Sequence, residues 1–449
     1  MRLSFFCMLL LSAMFSLSAC GLDQPPITTV IVPSIIKETQ IVETTRIVEA
    51  TRIVKEILVT TVEVTRLVQE AIPVTPAPPP PSERTVEVTQ GAALMLPRAQ
   101  HTATVLYDGR VLLVGGISDT NQLVAETEIY DPATGITIQA APLHTPRYGH
   151  TATLLYDGRV LVTGGRKLIE QWLDDAEVYD PYANAWTVMP MISAHGIYHT
   201  ATLMSDGRVL IVGGAVEDDQ FTDRVEIFNP QTDTWNGAMT LVSDRATHTA
   251  QLLSDGRVLV IGGANTTGVQ AGGDALIYDP QTNIWTAISP MVKPRLFAES
   301  VELSNSWVLV AGGINLEDMF QGVQNQRVST STEIYDPVLD TWTAMGALTQ
   351  PRYDQFMTKL PDGRVLAVGG MRDWECCWTI DSFLRGIEIY DPAIGVWYPV
   401  GELPQPAVYT AGVFLPDGRV WLTGGGISDD NKFIFSPNTW FITPGYGQP

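Results

Sequence analysis

Residues 157–165 read Asp-Gly-Arg-Val-Leu-Val-Thr-Gly-Gly, and this phrase decides the fold because it recurs. Variants stand at 108–116, 206–214, 255–263, 362–370 and 417–425, with a degenerate copy, NSWVLVAGG, at 305–313. The first glycine of each pair falls at 115, 164, 213, 262, 312, 369 and 424, so the copies follow one another at intervals of 49 to 57 residues. A period of this length marks a repeat architecture, in which one supersecondary unit buries its apolar faces only against its neighbours.

The second copy shows how one unit is built. His150 to Tyr156 is an apolar run rich in β-branched residues and predicts an inner strand, with Asp157-Gly158 as a two-residue hairpin turn. Arg159 to Thr163 predicts the return strand, and the bare backbones of Gly164-Gly165 allow neighbouring chains to approach closely. AEVYDP at 176–181 predicts a third strand closed by an Asp-Pro turn, and Trp186 opens a fourth. Four antiparallel strands cannot cover both of their own faces, whereas radial stacking of such sheets does. Two aromatic series support blade-to-blade packing. One is Trp186, Trp235, Trp285, Trp342, Trp397 and Trp440, with Ile136 standing in for the first copy. The other is Tyr130, Tyr179, Phe228, Tyr278, Tyr335, Tyr390 and Phe435 on the third strand. Residues 85–94 (TVEVTQGAAL) are a candidate strand for closing the ring.

The period near fifty, the paired glycines and the later tyrosine and tryptophan resemble the kelch repeat over residues 97–443. The resemblance implies an all-β fold. The expected architecture is a seven-bladed kelch-type β-propeller with four antiparallel strands per blade at 83–449, with a signal peptide (1–19) and a low-complexity stalk (20–82) expected before it. Kelch-like propellers include pure binding platforms, the copper enzyme galactose oxidase and a sialic acid epimerase. The oxidase resemblance implies a copper site with a tyrosine cross-linked to a cysteine, a second tyrosine and two histidines late in the chain. Here no histidine follows His248, and Cys376 and Cys377 are the sole cysteines of the folded part. The oxidase pattern is therefore not met, and no nucleophile motif such as Gly-x-Ser-x-Gly stands elsewhere. No catalytic residue, metal ligand or cofactor is expected. The expectation is a non-enzymatic binding module for a protein or a glycan. The alternative is a carbohydrate-acting enzyme, of oxidase or epimerase type, on the loop rim.

The N-terminus bears on location. Arg2 precedes an apolar stretch, Leu3 to Leu17, too short for a permanent bilayer span. Leu17-Ser18-Ala19-Cys20 then resembles the lipobox of bacterial lipoproteins, which implies cleavage before Cys20 and lipidation of its sulfur. The other reading is an ordinary cleaved signal peptide that ends at a cysteine. The expected location is the outer face of a bacterial membrane, reached through the lipid anchor alone. From Ile41 the chain repeats every six residues (IVETTR, IVEATR, IVKEIL), a period that suits extended backbone better than a coiled coil. PVTPAPPPP at 73–81 predicts a stiff spacer. The formal net charge is -22, and removal of residues 1–19 takes away one arginine and no acid, giving -23. Such a balance argues against nucleic acid as a partner, since binding to phosphates draws on Lys and Arg.

Candidate residues fall into two groups. Those repeating in step with the blades are His101, His150, His199 and His248, and the arginines Arg98, Arg147, Arg245, Arg295 and Arg352. The histidines are read as blade-building residues in preference to a metal ring. The arginines are read as partners of Glu128, Glu177, Glu226, Glu333 and Glu388, with an acidic ligand as the other possibility. The non-repeating group lies in loops between second and third strands: Trp172, Phe221, Phe320, Trp374, Trp378 and Phe383, a possible binding rim, the other reading being that they fold back and pack the loops down. Cys376 and Cys377 within it are candidates for a vicinal disulfide, with free thiols or a soft-metal pair as the other readings.

Overall fold

The computed structural model describes Thr29–Val42, Thr60–Pro73 and residues 85–445, apart from 121, 169–170, 190–194, 218–219, 267–272, 316–327, 374–381 and 430–431. Every regular element among the described residues is a strand. Cys20, Phe320, Trp374, Cys376, Cys377 and Trp378 lie outside the described residues.

Seven four-stranded antiparallel sheets make the propeller. In blade 2, Thr151–Leu154 is innermost, followed outward by Val160–Thr163, Ala176–Asp180 and Ala185–Met189. The inner strands of the seven blades begin at Thr102, Thr151, Thr200, Thr249, Glu299, Phe356 and Ala411. Each touches the next, and Ala411–Phe414 returns to Thr102–Val105, closing the circuit. Second strands such as Val160–Thr163 are buried at every position, which explains their uninterrupted apolar runs. They are covered from both sides by neighbouring blades. At the seam of blades 1 and 2, Leu112, Val114 and Ile129 meet Val160, Val162, Tyr179 and Trp186. Equivalent clusters fill the other six seams. Each fully buried Leu, Val or Ile contributes about 1.5–3 kcal/mol, so the seams supply the driving force that a single sheet lacks.

The tryptophans also tie blades together. The Trp186 indole N–H donates to the Ala141 carbonyl of the preceding blade at 2.8 Å, and its ring lies 5.0 Å from that of Tyr179. Trp285 and Trp342 reach back in the same way, to the carbonyls of Met239 and Ser289.

Four details differ from the sequence reading. The hairpin loops hold three residues, not two: in blade 2, Leu155 N–H donates to the Arg159 carbonyl at 2.8 Å, and Gly158 N–H to the Leu155 carbonyl at 3.0 Å. Gly158 takes φ +89°, the extra left-handed residue of a three-residue loop. In blade 1 the residue opposite Tyr130 is Thr137, not Ile136, which pairs with Asp131 and is exposed. In blade 7, Phe435 and Trp440 do not occupy the third-strand aromatic and fourth-strand tryptophan positions. Lys432–Phe435 pairs with Gly426–Asp429 in a separate ribbon, and Thr439–Thr443 is the third strand, with Ile442 opposite Val420.

The fourth strand of blade 7 is Glu87–Gln90, paired antiparallel with Thr439–Thr443, so the beginning of the domain closes the ring against its end. Blade 1 lacks its tryptophan, and the seam compensates from the other side. Trp421 of blade 7, fully buried, stacks on Tyr130 at 4.2 Å with Phe441 beside it.

The second compact unit contains a hairpin of two long strands, Thr29–Val42 and Thr60–Pro73, in continuous register from Thr29↔Pro73 to Val42↔Thr60. The sequence expectation for the stalk is an extended tether, with a helix or a self-associating stalk as the other possibility; in the structure the two strands pair with each other. β-branched residues favour strands, and two such strands satisfy each other's backbone groups. Residues 43–59, with most of the six-residue repeats, lie outside the described residues.

Candidate functional site

The repeating polar residues prove to be scaffold. Arg98, Arg147, Arg295 and Arg352 are fully buried, and each donates to the carbonyl of the first glycine in its own blade. Each also pairs with its third-strand glutamate: Arg98 with Glu128 at 2.5 Å, Arg147 with Glu177 at 3.0 Å, Arg295 with Glu333, and Arg352 with Glu388 at 2.5 Å. These glutamates also accept backbone N–H groups of the incoming chain, as Glu177 does from His144 and Thr145. The expected partnership of Arg245 with Glu226 does not form, because the two lie in successive blades. In blade 4 the glutamate position is Leu276, and Arg245 holds the Gly262 carbonyl. In blade 3 the arginine position is Gly196, and the preceding residue, His195, takes over. Its Nδ1 meets the Gly213 carbonyl at 2.8 Å and its Nε2 lies 3.7 Å from Glu226.

The histidine series joins blades. His150 Nε2 lies 3.0 Å from Thr102 Oγ1, His199 Nε2 3.0 Å from Thr151 Oγ1, and His248 Nε2 3.0 Å from Thr200 Oγ1. His101 completes the turn at Thr423 Oγ1, 2.8 Å away. Burial, followed by neighbouring positive groups, pushes these imidazoles far down, to about 3 for His150 and His199, so they stay neutral. The paired glycines make room for them. A Cβ on Gly164 would stand 2.6 Å from the Gly196 carbonyl oxygen and 2.7 Å from His199 Cε1, at a φ of +61°. Only glycine fits there.

One position escapes the repeat. The residue just before each histidine position has left-handed backbone in all seven blades: Gln100 (φ 52°), Gly149 (64°), Tyr198 (62°), Thr247 (60°), Phe297 (50°), Asp354 (54°) and Tyr409 (54°). Backbone hydrogen bonds link them around the channel. Gln100 N–H donates to the Tyr409 carbonyl, Gly149 to Gln100, Thr247 to Tyr198 and Phe297 to Thr247, at 3.0–3.1 Å. Glycine adopts this backbone without steric cost, yet it appears once in seven. The other residues carry a strain of about 1–3 kcal/mol each, which points to a demand for their side chains.

The mouth they surround opens into a cavity of about 320 Å³ at blades 2 to 6. Tyr198, Phe297, Asp354 and Glu299 line it with threonines 200, 202, 247 and 249. The rings of Tyr198 and Phe297 stand perpendicular, 5.3 Å apart at 89°. Glu299 occupies the place held by Thr102, Thr151, Thr200 and Thr249 in earlier blades, so it too breaks the pattern. Among the described residues, nothing forms a hydrogen bond or ion pair with the carboxylate of Glu299 or Asp354. Burial, then the nearby Asp354 charge, pushes Glu299 up to about 8, and burial pushes Asp354 up to about 6. Asp354 in turn helps to raise the Tyr198, Tyr353 and Tyr409 phenols, after burial as the main cause.

The described rim residues lie on this same face, because the loops leaving the glycine pairs bridge back to the chain entering the inner strands, as in Ile197↔Ala215 and Tyr353↔Met371. They pack downward. Trp172 is half-buried with the Arg166 guanidinium 4.4 Å over its ring, and half-buried Phe221 joins it on Ile197, Ala215 and Ala246. Phe383 is buried beside Tyr353, Met371 and Val408. The sequence reading missed Tyr198, Phe297, Asp354, Tyr409 and Glu299. For Glu299 the signal was a break in a column that is threonine in the first four blades; the left-handed column has no shared side-chain type to depart from.

Residues 133–372, just over half of the chain, match the family model described as Attractin/LZTR1 beta-propeller. The human Kelch repeat and BTB domain-containing protein 13 is 40% identical over 73 residues, 16% of this chain and 14% of that protein. Galactose oxidase of Gibberella zeae is 27% identical over 122 residues, 26% of this chain and 17% of the oxidase. The chain thus covers less than a fifth of the length of either relative. Among solved structures, a fungal alcohol oxidase of the AA5 family in complex with copper superposes with a TM-score of 0.62. Its identity is 19%, and the match covers 79% of this chain and 76% of that one. At that identity the likeness concerns the fold.

A copper site does not fit the residues described here. The four repeat histidines spend Nε2 on threonines, His144 is held by Glu177 and His195 by Gly213. Among the described residues no three His, Cys, Asp or Glu side chains converge as ligands. Four-stranded blades, seven closed seams and the match over 133–372 together place the chain in the Attractin/LZTR1 β-propeller family, within the kelch-repeat, galactose oxidase-like propellers.

Proposed function

We propose that the chain is a non-enzymatic binding module for a protein or a glycan, held at a bacterial cell surface by a lipid on Cys20. Its binding face is the loop-bearing face around the channel mouth. The observation that carries this reading is the left-handed ring, where six strained non-glycine residues replace the glycine that architecture alone would favour. The opposite face carries near-identical Asp-Gly-Arg hairpins in six of the seven blades, each closed on itself by its own Asp–Arg contacts, as between Arg159 and Asp157. Residues that differ between repeats supply specificity, and they gather on the loop face.

The test is binding of the protein expressed from Gly21 to a glycan array and to a panel of bacterial surface and secreted proteins. Tyr198→Ala and Tyr409→Ala should weaken the strongest hit tenfold or more, while Tyr107→Ala, on the hairpin face, should leave it unchanged. The reverse pattern would refute the assignment of the face. For the anchor, Cys20→Ser should move the protein from the membrane to the soluble fraction and abolish palmitate labelling.

A second reading is favoured by one observation, the two raised carboxyls in one cavity. A protonated Glu299 and a more readily ionised Asp354 are suited to proton donation and acceptance in a carbohydrate-acting enzyme. Turnover of any array glycan that is lost in both Glu299→Gln and Asp354→Asn would replace the binder reading with this one.

A further inference from the structure

We propose that the channel cavity receives an organic cation, an alkylammonium or guanidinium group carried by the ligand. This rests on the binding reading and specifies its chemistry. The carboxylates of Glu299 and Asp354 both reach the cavity without a hydrogen-bond or ion-pair partner among the described residues. None of the lining residues is Lys or Arg, and the two histidines in the lining, His199 and His248, are neutral. The site therefore presents two carboxyl groups, of which Asp354 is the more readily ionised, with no countercharge of its own. An uncompensated buried charge is costly, and a cation entering from outside removes that cost.

The walls select the kind of cation. Tyr198 and Phe297 present two perpendicular rings at the mouth, and the Tyr409 phenol belongs to the same electrostatic cluster around Asp354. Aromatic faces attract ammonium and guanidinium groups by about 0.5–2 kcal/mol, more as water is excluded. A hard metal ion is less well served. Calcium takes six to eight oxygen ligands, whereas two carboxylates and scattered threonine hydroxyls line this cavity. An anionic ligand would be repelled. A neutral polyol would leave both carboxyls uncompensated. The threonine hydroxyls at 200, 202, 247 and 249 are suitable acceptors for the remaining N–H bonds. Two sources carry this chemistry: a lysine or arginine side chain on a protein loop, and a free small amine.

The experiment is titration of the protein expressed from Gly21, followed by NMR and calorimetry, with n-butylammonium, n-butanol, Nα-acetyl-lysine methylamide and the peptide Gly-Gly-Lys-Gly-Gly. Saturable binding of n-butylammonium at least tenfold tighter than n-butanol is expected. Asp354→Asn and Glu299→Gln should each weaken it about tenfold, and Asp354→Glu should restore part of it. Circular dichroism melting of each variant identifies any loss that stems from misfolding, and Glu299→Gln, which puts a neutral amide in place of a half-buried carboxyl already protonated near neutral pH, is expected to stay folded. Equal binding of amine and alcohol, no binding of any amine, or amine binding undiminished in both neutral variants would overturn the proposal. Tighter binding of the peptide than of n-butylammonium would assign the cation to a protein loop; equal binding would assign it to a free amine. A glycan or protein hit that depends on Tyr198 and Tyr409 but survives both neutral variants would keep the binding face and discard the cation.

Discussion

Glu299 connects the site to stability. Its carboxyl is raised to about 8 in the folded chain, so between about 4.5 and about 8 the folded protein retains a proton that the unfolded chain has released. The stability associated with this group is therefore complete below pH 4.5 and is lost as pH rises through 8. Glu299→Gln removes that loss. Its melting temperature should match the parent below pH 4.5 and exceed it by about 2–5 °C at pH 9, allowing for water in the channel. A constant difference across pH would contradict the assignment. The buried arginine–glutamate pairs behave in the opposite way. Arg352 and Glu388 are both fully buried and Glu388 is that guanidinium's one ion-pair partner among the described residues, so Glu388→Gln leaves it without a counterion and should cost about 3–5 kcal/mol in denaturant unfolding. Glu226→Gln, facing His195 across 3.7 Å, should cost about 1 kcal/mol. Comparable losses at the two sites would show that the glutamate column serves something other than its arginine.

At the scale of elements, the glycine pairs separate sterics from backbone strain. Gly164→Ala meets both a carbonyl and an imidazole, whereas a Cβ on Gly135 (φ +71°) meets nothing within 4 Å. The first substitution should destabilise by about 3 kcal/mol or more and the second by about 1 kcal/mol, read from chemical denaturation. Strand identity was legible from the sequence because the Asp-Gly-Arg phrase and the apolar second strand repeat without ambiguity. Register was less legible, for a physical reason. The column of tryptophans is defined by what lies opposite the third-strand aromatic, and that is Thr137 in blade 1 and Val88 in blade 7. Sequence alignment to the nearest apolar or tryptophan residue pointed instead to Ile136 and Trp440. The pairing of Thr29–Val42 with Thr60–Pro73 was hidden for another reason: β-branched runs announce extended backbone but do not name their partner.

For the whole molecule, closure depends on Glu87–Gln90 completing blade 7. Deletion of residues 83–91 would expose the backbone of Thr439–Thr443 as a free edge and uncover the flank of Trp421. The shortened protein should melt at a lower temperature than the parent and elute earlier from sizing columns through association; an unchanged elution volume with an unchanged melt would contradict a closure role for this strand. The ring itself was legible from seven periodic copies. The channel mouth was not, because its left-handed residues share a backbone conformation and no side-chain type, from Gln100 to Tyr409. Variation within a repeat column marks such a site only once the fold shows which columns converge.

The most direct test of the binding-face assignment is hydrogen–deuterium exchange of the protein with and without its strongest array or panel hit. Protection is expected at the channel mouth, in peptides covering 197–202, 246–250, 296–300, 353–355 and 408–410. Protection confined to the hairpins around Tyr107, Tyr156 and Tyr182, with the mouth unchanged, would contradict the account.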